Sequence, residues 1–151
     1  MATLIAIVGL PGSGKSRYIA QIRGALPGVV ADDYMAHPHG DSPRFTDARR
    51  FVELVRALNA GRDSLVCDVN FCRPHRRGEF EAAIHGVAPG VVFEWRFFEN
   101  DPYACIQNVR RRARINVTRE EATIVKLAPH YQYPADAVVL RVWRPADLPS
   151  P

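Results

Sequence analysis

The residues with the most legible chemistry are Gly9, Leu10, Pro11, Gly12, Ser13, Gly14, Lys15 and Ser16, which fit the pattern G-x-x-x-x-G-K-[ST]. Glycines at 12 and 14 let the backbone turn so that successive amides point inward at phosphate oxygens. A lysine at 15 suits the β and γ phosphates of a nucleoside triphosphate, and the hydroxyl of Ser16 suits Mg²⁺. The segment is therefore expected to bind ATP with Mg²⁺ through Gly9, Pro11, Gly12, Ser13, Gly14, Lys15 and Ser16.

Such a cradle does not name a reaction, because many chemistries share it. The carboxylates narrow the choice. Asp32 and Asp33 follow the apolar run Val29-Val30-Ala31, at the strand end where open α/β sheets bind ligands. One of them could accept the proton of an attacking hydroxyl, although aspartate in this place also suits a turn or a helix cap. Asp68 ends the run Ser64-Leu65-Val66-Cys67, a placement suited to the Mg²⁺ water shell or the acceptor, and Asn70 falls on the same side. Asp33, Tyr34 and Asn70 are the candidates for touching the substrate. Arg111 and Arg114, three residues apart, share a helix face and could close over the triphosphate. Arg110 and Arg112 are expected on solvated surface.

These residues need a scaffold that delivers them to one edge. Strands are predicted at 4–8, 29–31, 65–67, 91–97 and 137–142, with helices around 15–25, 46–59, 76–84, 103–113 and 119–128. Alternation of strand and helix implies a parallel sheet covered on both faces, here a three-layer α/β/α arrangement of five strands. Asp101-Pro102 reads as a helix cap, Thr118 with Glu121 as a capping box, and Gly61 and Gly86 as helix stops. Residues 36–43 read as a loop near the substrate entrance, and 144–151 as an irregular proline-rich tail after a domain spanning 1–143. Trp95, Phe97 and Phe98 are expected in the core, whereas Tyr34, Phe45 and Phe71 flank the cleft and could stack a base.

Composition sets the remaining bounds. One domain fits 151 residues, and 47% hydrophobic content supports one core. No stretch approaches the roughly 18 apolar residues of a membrane span, and the run from Leu4 to Val8 reads as a buried strand, so a cytoplasmic protein is expected. The three cysteines, Cys67, Cys72 and Cys105, lack zinc-like spacing, and His37 with His39 is too sparse for a metal site. A net charge of +4, carried almost wholly by arginine, is compatible with a phosphorylated or nucleic-acid partner.

Gly9 to Ser16, then Asp32-Asp33-Tyr34, Asp68-Val69-Asn70, Arg76-Arg77 and Asn108 to Arg111 together resemble the kinase domain of phage polynucleotide 5′-hydroxyl kinase and its small bacterial relatives. The resemblance implies a sheet ordered 2-3-1-4-5, as in nucleoside monophosphate kinases. It makes Asp32 the general base, Lys15 and Ser16 the phosphate and Mg²⁺ ligands, Asp68 a metal or substrate aid, and Arg111 the lid arginine. The phage family carries arginine directly after D-D-Y, where this chain has Met35; Arg44 or Arg49 could replace it. The expectation is MgATP-dependent transfer of the γ-phosphoryl group to a hydroxyl acceptor in the manner of a polynucleotide kinase, the acceptor being a nucleic-acid 5′ end, a nucleotide or another small molecule. The alternatives are a kinase for a nucleotide or other small molecule, and an ATP-gated binding module with little transfer.

Overall fold

The computed structural model describes residues 1–32, 34, 48–112 and 116–147. Asp33, Met35, Arg44, Phe45, Arg114, the histidine pair and the loop at 36–43 lie outside the described residues.

The sheet grows outward from the most apolar strand. In β1 (Thr3–Val8) every residue after Thr3 is buried, which requires neighbours on both edges and cover on both faces. β3 (Ser64–Cys67), equally buried, pairs with β1 from Leu4 opposite Ser64 to Ile7 opposite Cys67. β4 (Val92–Phe98) pairs along the other edge from Thr3 opposite Val92 to Val8 opposite Phe97. β2 (Val30–Ala31) and β5 (Val138–Leu140) add the outer strands, so the order is 2-3-1-4-5 with every pairing parallel. This is the expected α/β fold with helices on both faces.

Alternation along β1 divides the core. Leu4, Ala6 and Val8 join Leu54 and Leu58 of α2 (Ala48–Asn59), Phe80 and Ile84 of α3 (Pro74–Val87), Cys105 and Val109 of α4 (Pro102–Arg112), and Ile124 and Leu127 of α5 (Val117–Leu127). Ile5 and Ile7 point the other way and pack with Ile19 of α1 (Lys15–Ile22). Each fully buried Leu or Ile contributes about 1.5–3 kcal/mol relative to exposure. Trp95, Phe97 and Phe98 take the expected core positions, and the Tyr131 hydroxyl donates to the carbonyls of Val8 and Phe98, joining the ends of β1 and β4.

Several helix ends differ from expectation. α5 begins at Val117 behind Asn116, so Thr118 lies inside the helix; Glu121 pairs with Arg110 of α4 at 2.5 Å, and no capping box forms. Gly86 sits within α3, which continues to Val87. α3 also starts earlier, with Pro74 in its first turn, where a missing N–H costs nothing. α2 ends as foreseen at Gly61, with Arg62 N donating to Ala57 O and Gly61 N to Leu58 O. Asp101 caps α4 by accepting from Ala104 N at 3.0 Å. Past β5, Arg144 bonds Glu99 at 2.9 Å and Asp101 at 2.7 Å, and a short 3-10 turn covers Pro145–Asp147. Among the described residues no helix is long and apolar enough to cross a membrane.

All three cysteines are buried. Burial pushes the thiols of Cys72 and Cys105 up to about 12, against a smaller opposing pull from Lys15. At pH 8 their thiolate fractions should fall by about 10³-fold relative to exposed cysteine. We expect a chromogenic disulfide reagent to label Cys72 and Cys105 only after denaturation; rapid labelling of the native protein would contradict this packing.

Candidate functional site

The cradle is the turn between β1 and α1. Gly12 has φ +80, and a Cβ there would meet the Cys105 carbonyl oxygen at 2.5 Å; Gly14 has φ +105, and a Cβ would meet Trp143 Cβ at 2.8 Å. Only glycine combines these left-handed angles with such close neighbours. The first intrahelical bond runs from Tyr18 N to Gly14 O, so the amides of residues 15–17 have no carbonyl within α1 and offer the positive helix end to an anion. Lys15 is buried, its Nζ donating to Gly9 O at 2.9 Å and Leu10 O at 2.8 Å. Ser13 Oγ is buried without a hydrogen-bond partner among the described residues, an unsatisfied donor inside the loop. Together these groups fit a triphosphate.

Two elements brace the loop from behind. Asn108 of α4, 5% exposed, donates Nδ2 to Gly12 O at 2.9 Å and to Trp143 O at 2.6 Å. Trp143 N in turn donates to Ser13 O at 2.9 Å. Glu99 fixes that C-terminal segment by accepting from Val142 N and from Arg144.

Asp32 and Ser16 meet across the mouth of the loop, with Ser16 Oγ donating to Asp32 Oδ2 at 2.8 Å. The other carboxylate oxygen of Asp32 makes no hydrogen bond among the described residues. Asp68, expected at the Mg²⁺ water shell or the acceptor, is 3% exposed, and its Oδ1 accepts from Asn70 N at 2.8 Å and Asn70 Nδ2 at 2.9 Å. Asn70, on a 3-10 turn at Val69–Cys72, is thereby fixed in the cleft lining. The hard oxygens beside the cradle are those of Ser16 and Asp32, a donor pair suited to Mg²⁺ that keeps most of its other ligands as water and phosphate. Among the described residues no three His, Cys, Asp or Glu side chains gather around a metal-sized centre.

Tyr34 and Phe71, expected to flank the cleft, are turned into the core. Both are fully buried: Tyr34 packs edge-on against Phe80, and its amide donates to Cys67 O at 2.9 Å, while Phe71 packs between Phe80 and Trp95. Arg77 also turns inward, donating to Phe71 O and Gln132 O. Arg49, half of the suggested replacement for the missing family arginine, pairs instead with Glu53 at 3.4 Å on the surface of α2.

Gly12, Gly14, Lys15 and Ser16 of the cradle, with Asp32, Asn70 and Asn108, line one cleft of about 1100 Å³. Among the described residues its lining carries Lys15, Arg17, Arg73, Arg76, Arg111, Arg112, Arg119 and Lys126 against only Asp32 and Glu120. The chain as a whole holds 20 basic and 16 acidic residues, so cations are concentrated here. Arg111 reaches Asn108 Oδ1 at 3.5 Å, and Arg112, expected on open surface, joins the wall while pairing with Glu120 at 3.2 Å. Arg119, Thr123 and Lys126 present one stripe of α5, a spacing of four and three that the helical period alone reveals. Arg73, Arg119 and Lys126 make no ion pair among the described residues. Trp143, which no motif announces, and Asn108, at the start of the Asn108 to Arg111 segment, complete the wall.

The sequence profile of a family described as an AAA domain matches residues 4–134. No curated protein matches the chain. Among solved structures, the chain is similar to a gluconokinase from Sinorhizobium meliloti 1021, with TM-score 0.54 and 18% identity over 95% of this chain and 84% of that one. It is also similar to a fungal RNA kinase, with TM-score 0.60 and 14% identity over 93% and 73%. A third similar structure, APE1195, gives TM-score 0.58 and 17% identity over 92% and 84%. At these identities the likeness is one of fold.

Asn108→Ala would leave two backbone carbonyls, those of Gly12 and Trp143, without their buried donor. We expect a loss of about 1–3 kcal/mol in urea unfolding. An unchanged midpoint would show that Asn108 does not brace the loop.

Proposed function

We propose, from the premise that the chain belongs to this AAA-domain family, that it is a MgATP-dependent kinase transferring the γ-phosphoryl group to a hydroxyl on a nucleic-acid 5′ end. One observation carries the reading: a carboxylate, Asp32, stands 2.8 Å from Ser16 Oγ at the edge of the phosphate cradle, with one oxygen left to take a proton. Such a base beside the triphosphate distinguishes a kinase from a nucleotide grip.

In this reading, the amides of residues 12–16, the Lys15 ammonium and the Ser13 hydroxyl orient the triphosphate. Ser16 and Asp32 would hold Mg²⁺, which would supply charge neutralisation on the phosphate oxygens. Asp32 accepts the acceptor's proton, Asn70 positions the hydroxyl, and Asp68 holds Asn70 in place. Arg111 and Arg114 stabilise charge on the leaving side. Positioning and electrostatics account for the catalysis.

The charge of the cleft supports a polyanionic acceptor. Similar folds include one named RNA kinase and one named gluconokinase, so fold does not choose. The unpaired cations Arg73, Arg119 and Lys126 lie along the cleft beyond the cradle, where a phosphodiester backbone would meet them. A small neutral acceptor would leave those charges without a counterpart.

Asp32→Asn should lower kcat by about 10²-fold or more while affinity for metal-free ATP stays within a few-fold. Equal turnover in the two proteins would instead favour an ATP-gated binding module. Replacing Arg119 and Lys126 together by glutamine should raise the KM for a 5′-hydroxyl oligonucleotide by about tenfold and flatten its salt dependence by about one unit of slope. If oligonucleotide KM and salt slope do not move, the acceptor is not a polynucleotide held by this wall.

A further inference from the structure

The cradle grips phosphates, but a nucleotide donor also carries a base, and of the aromatic residues expected to receive it Tyr34 and Phe71 are buried in the core, while Phe45 lies outside the described residues. Their burial leaves the question of where the base goes. In-line displacement places attacking and leaving oxygens on opposite sides of the transferred phosphorus. Asp32 follows β2 and Asn70 follows β3, both on one side of β1, so the acceptor approaches from that side. The nucleoside must then leave over the other side, toward β4 and β5. The aromatic lining the cleft there is Trp143, just past β5.

Three features make Trp143 a rigid platform. Its backbone is bonded on both sides, to Ser13 O and Asn108 Nδ2. Its Cβ abuts Gly14 so closely that no side chain could intervene. The guanidinium of Arg17, from the first turn of α1, lies 4.4 Å from the indole centroid. Arg17 and Trp143 line both the main cleft and an adjoining recess of about 200 Å³ walled by Tyr18, Phe98 and Leu140. The indole is not required for the backbone bonds that brace the cradle, so its position calls for another explanation.

We propose that the Arg17–Trp143 stack is the seat of the donor's nucleobase. The inference rests on reading the cleft as a nucleoside-triphosphate site. Stacking on a flat indole and a planar cation accepts any base through its π face, and a purine, with the larger face, gains most. Recognition at this seat is by shape and not by a hydrogen-bond code.

The test compares MgADP with Mg-tripolyphosphate, which has the phosphates and no base, by calorimetry on wild type, Trp143→Ala and Trp143→Phe. Trp143→Ala should weaken ADP binding by about tenfold and leave tripolyphosphate within about twofold, and Trp143→Phe should recover most of the loss. Equal weakening of both ligands, or none for ADP, overturns the assignment. The intrinsic fluorescence gives a second readout, because the chain has only 2 tryptophans. ADP, but not tripolyphosphate, should change the emission of wild type, and the change should vanish in Trp143→Phe. Its persistence there overturns the proposal even where Trp143→Ala does not fold. A wild-type protein that binds neither ligand refutes the nucleotide reading itself.

Discussion

The cleft keeps its shape because the cradle is held from behind. Gly12, Ser13 and Gly14 form a turn with left-handed backbone and amides aimed outward, a conformation with little hydrogen bonding of its own. Asn108 and the Trp143 amide supply what the turn lacks, tying it to α4 and to the segment after β5. That segment is in turn fixed through Glu99, Asp101 and Arg144. A loop that binds phosphate by geometry gains from such bracing, because the entropy of ordering the amides is met by folding and not by binding.

The sheet order distributes the chemistry. With β1 central, groups following β2 and β3 face one end of the triphosphate cradle, and groups following β4 and β5 face the other. Asp32 and Asn70 occupy the first side; Asn108, Arg111 and Trp143 occupy the second. An acceptor and a leaving nucleotide therefore have separate approaches to one phosphorus, the arrangement that in-line transfer needs. The cations of α5, which follows β4, line the same cleft as Arg73 of the turn before α3, and together they make it a basic trough.

Much of this was legible in the sequence, because local patterns fix it. The run Leu4 to Val8 followed by glycines and Lys15 specifies strand, turn and helix together, and alternating apolar periods specify the remaining sheet. Asp32 was readable as a strand-end carboxylate. What escaped depends on contacts across many residues: Asn108 to Gly12 spans 96 positions, and nothing local marks that asparagine as a brace. Tyr34 and Phe71 looked like cleft residues because they neighbour Asp33 and Asn70 in the chain, yet a strand end and a 3-10 turn direct both rings into the core. The contact of Asp68 with Asn70 was not legible either, since it depends on the turn that follows, which directs one carboxylate oxygen to that asparagine.

The account as a whole claims that a phosphoryl group leaves ATP for a hydroxyl held in the basic trough. Incubation with γ-labelled ATP, Mg²⁺ and a 5′-hydroxyl oligonucleotide, followed by separation of oligonucleotide, nucleotide and inorganic phosphate, tests it directly. The account predicts label on the oligonucleotide 5′ end in excess over inorganic phosphate. Label remaining in ATP, or appearing only as inorganic phosphate, would contradict it.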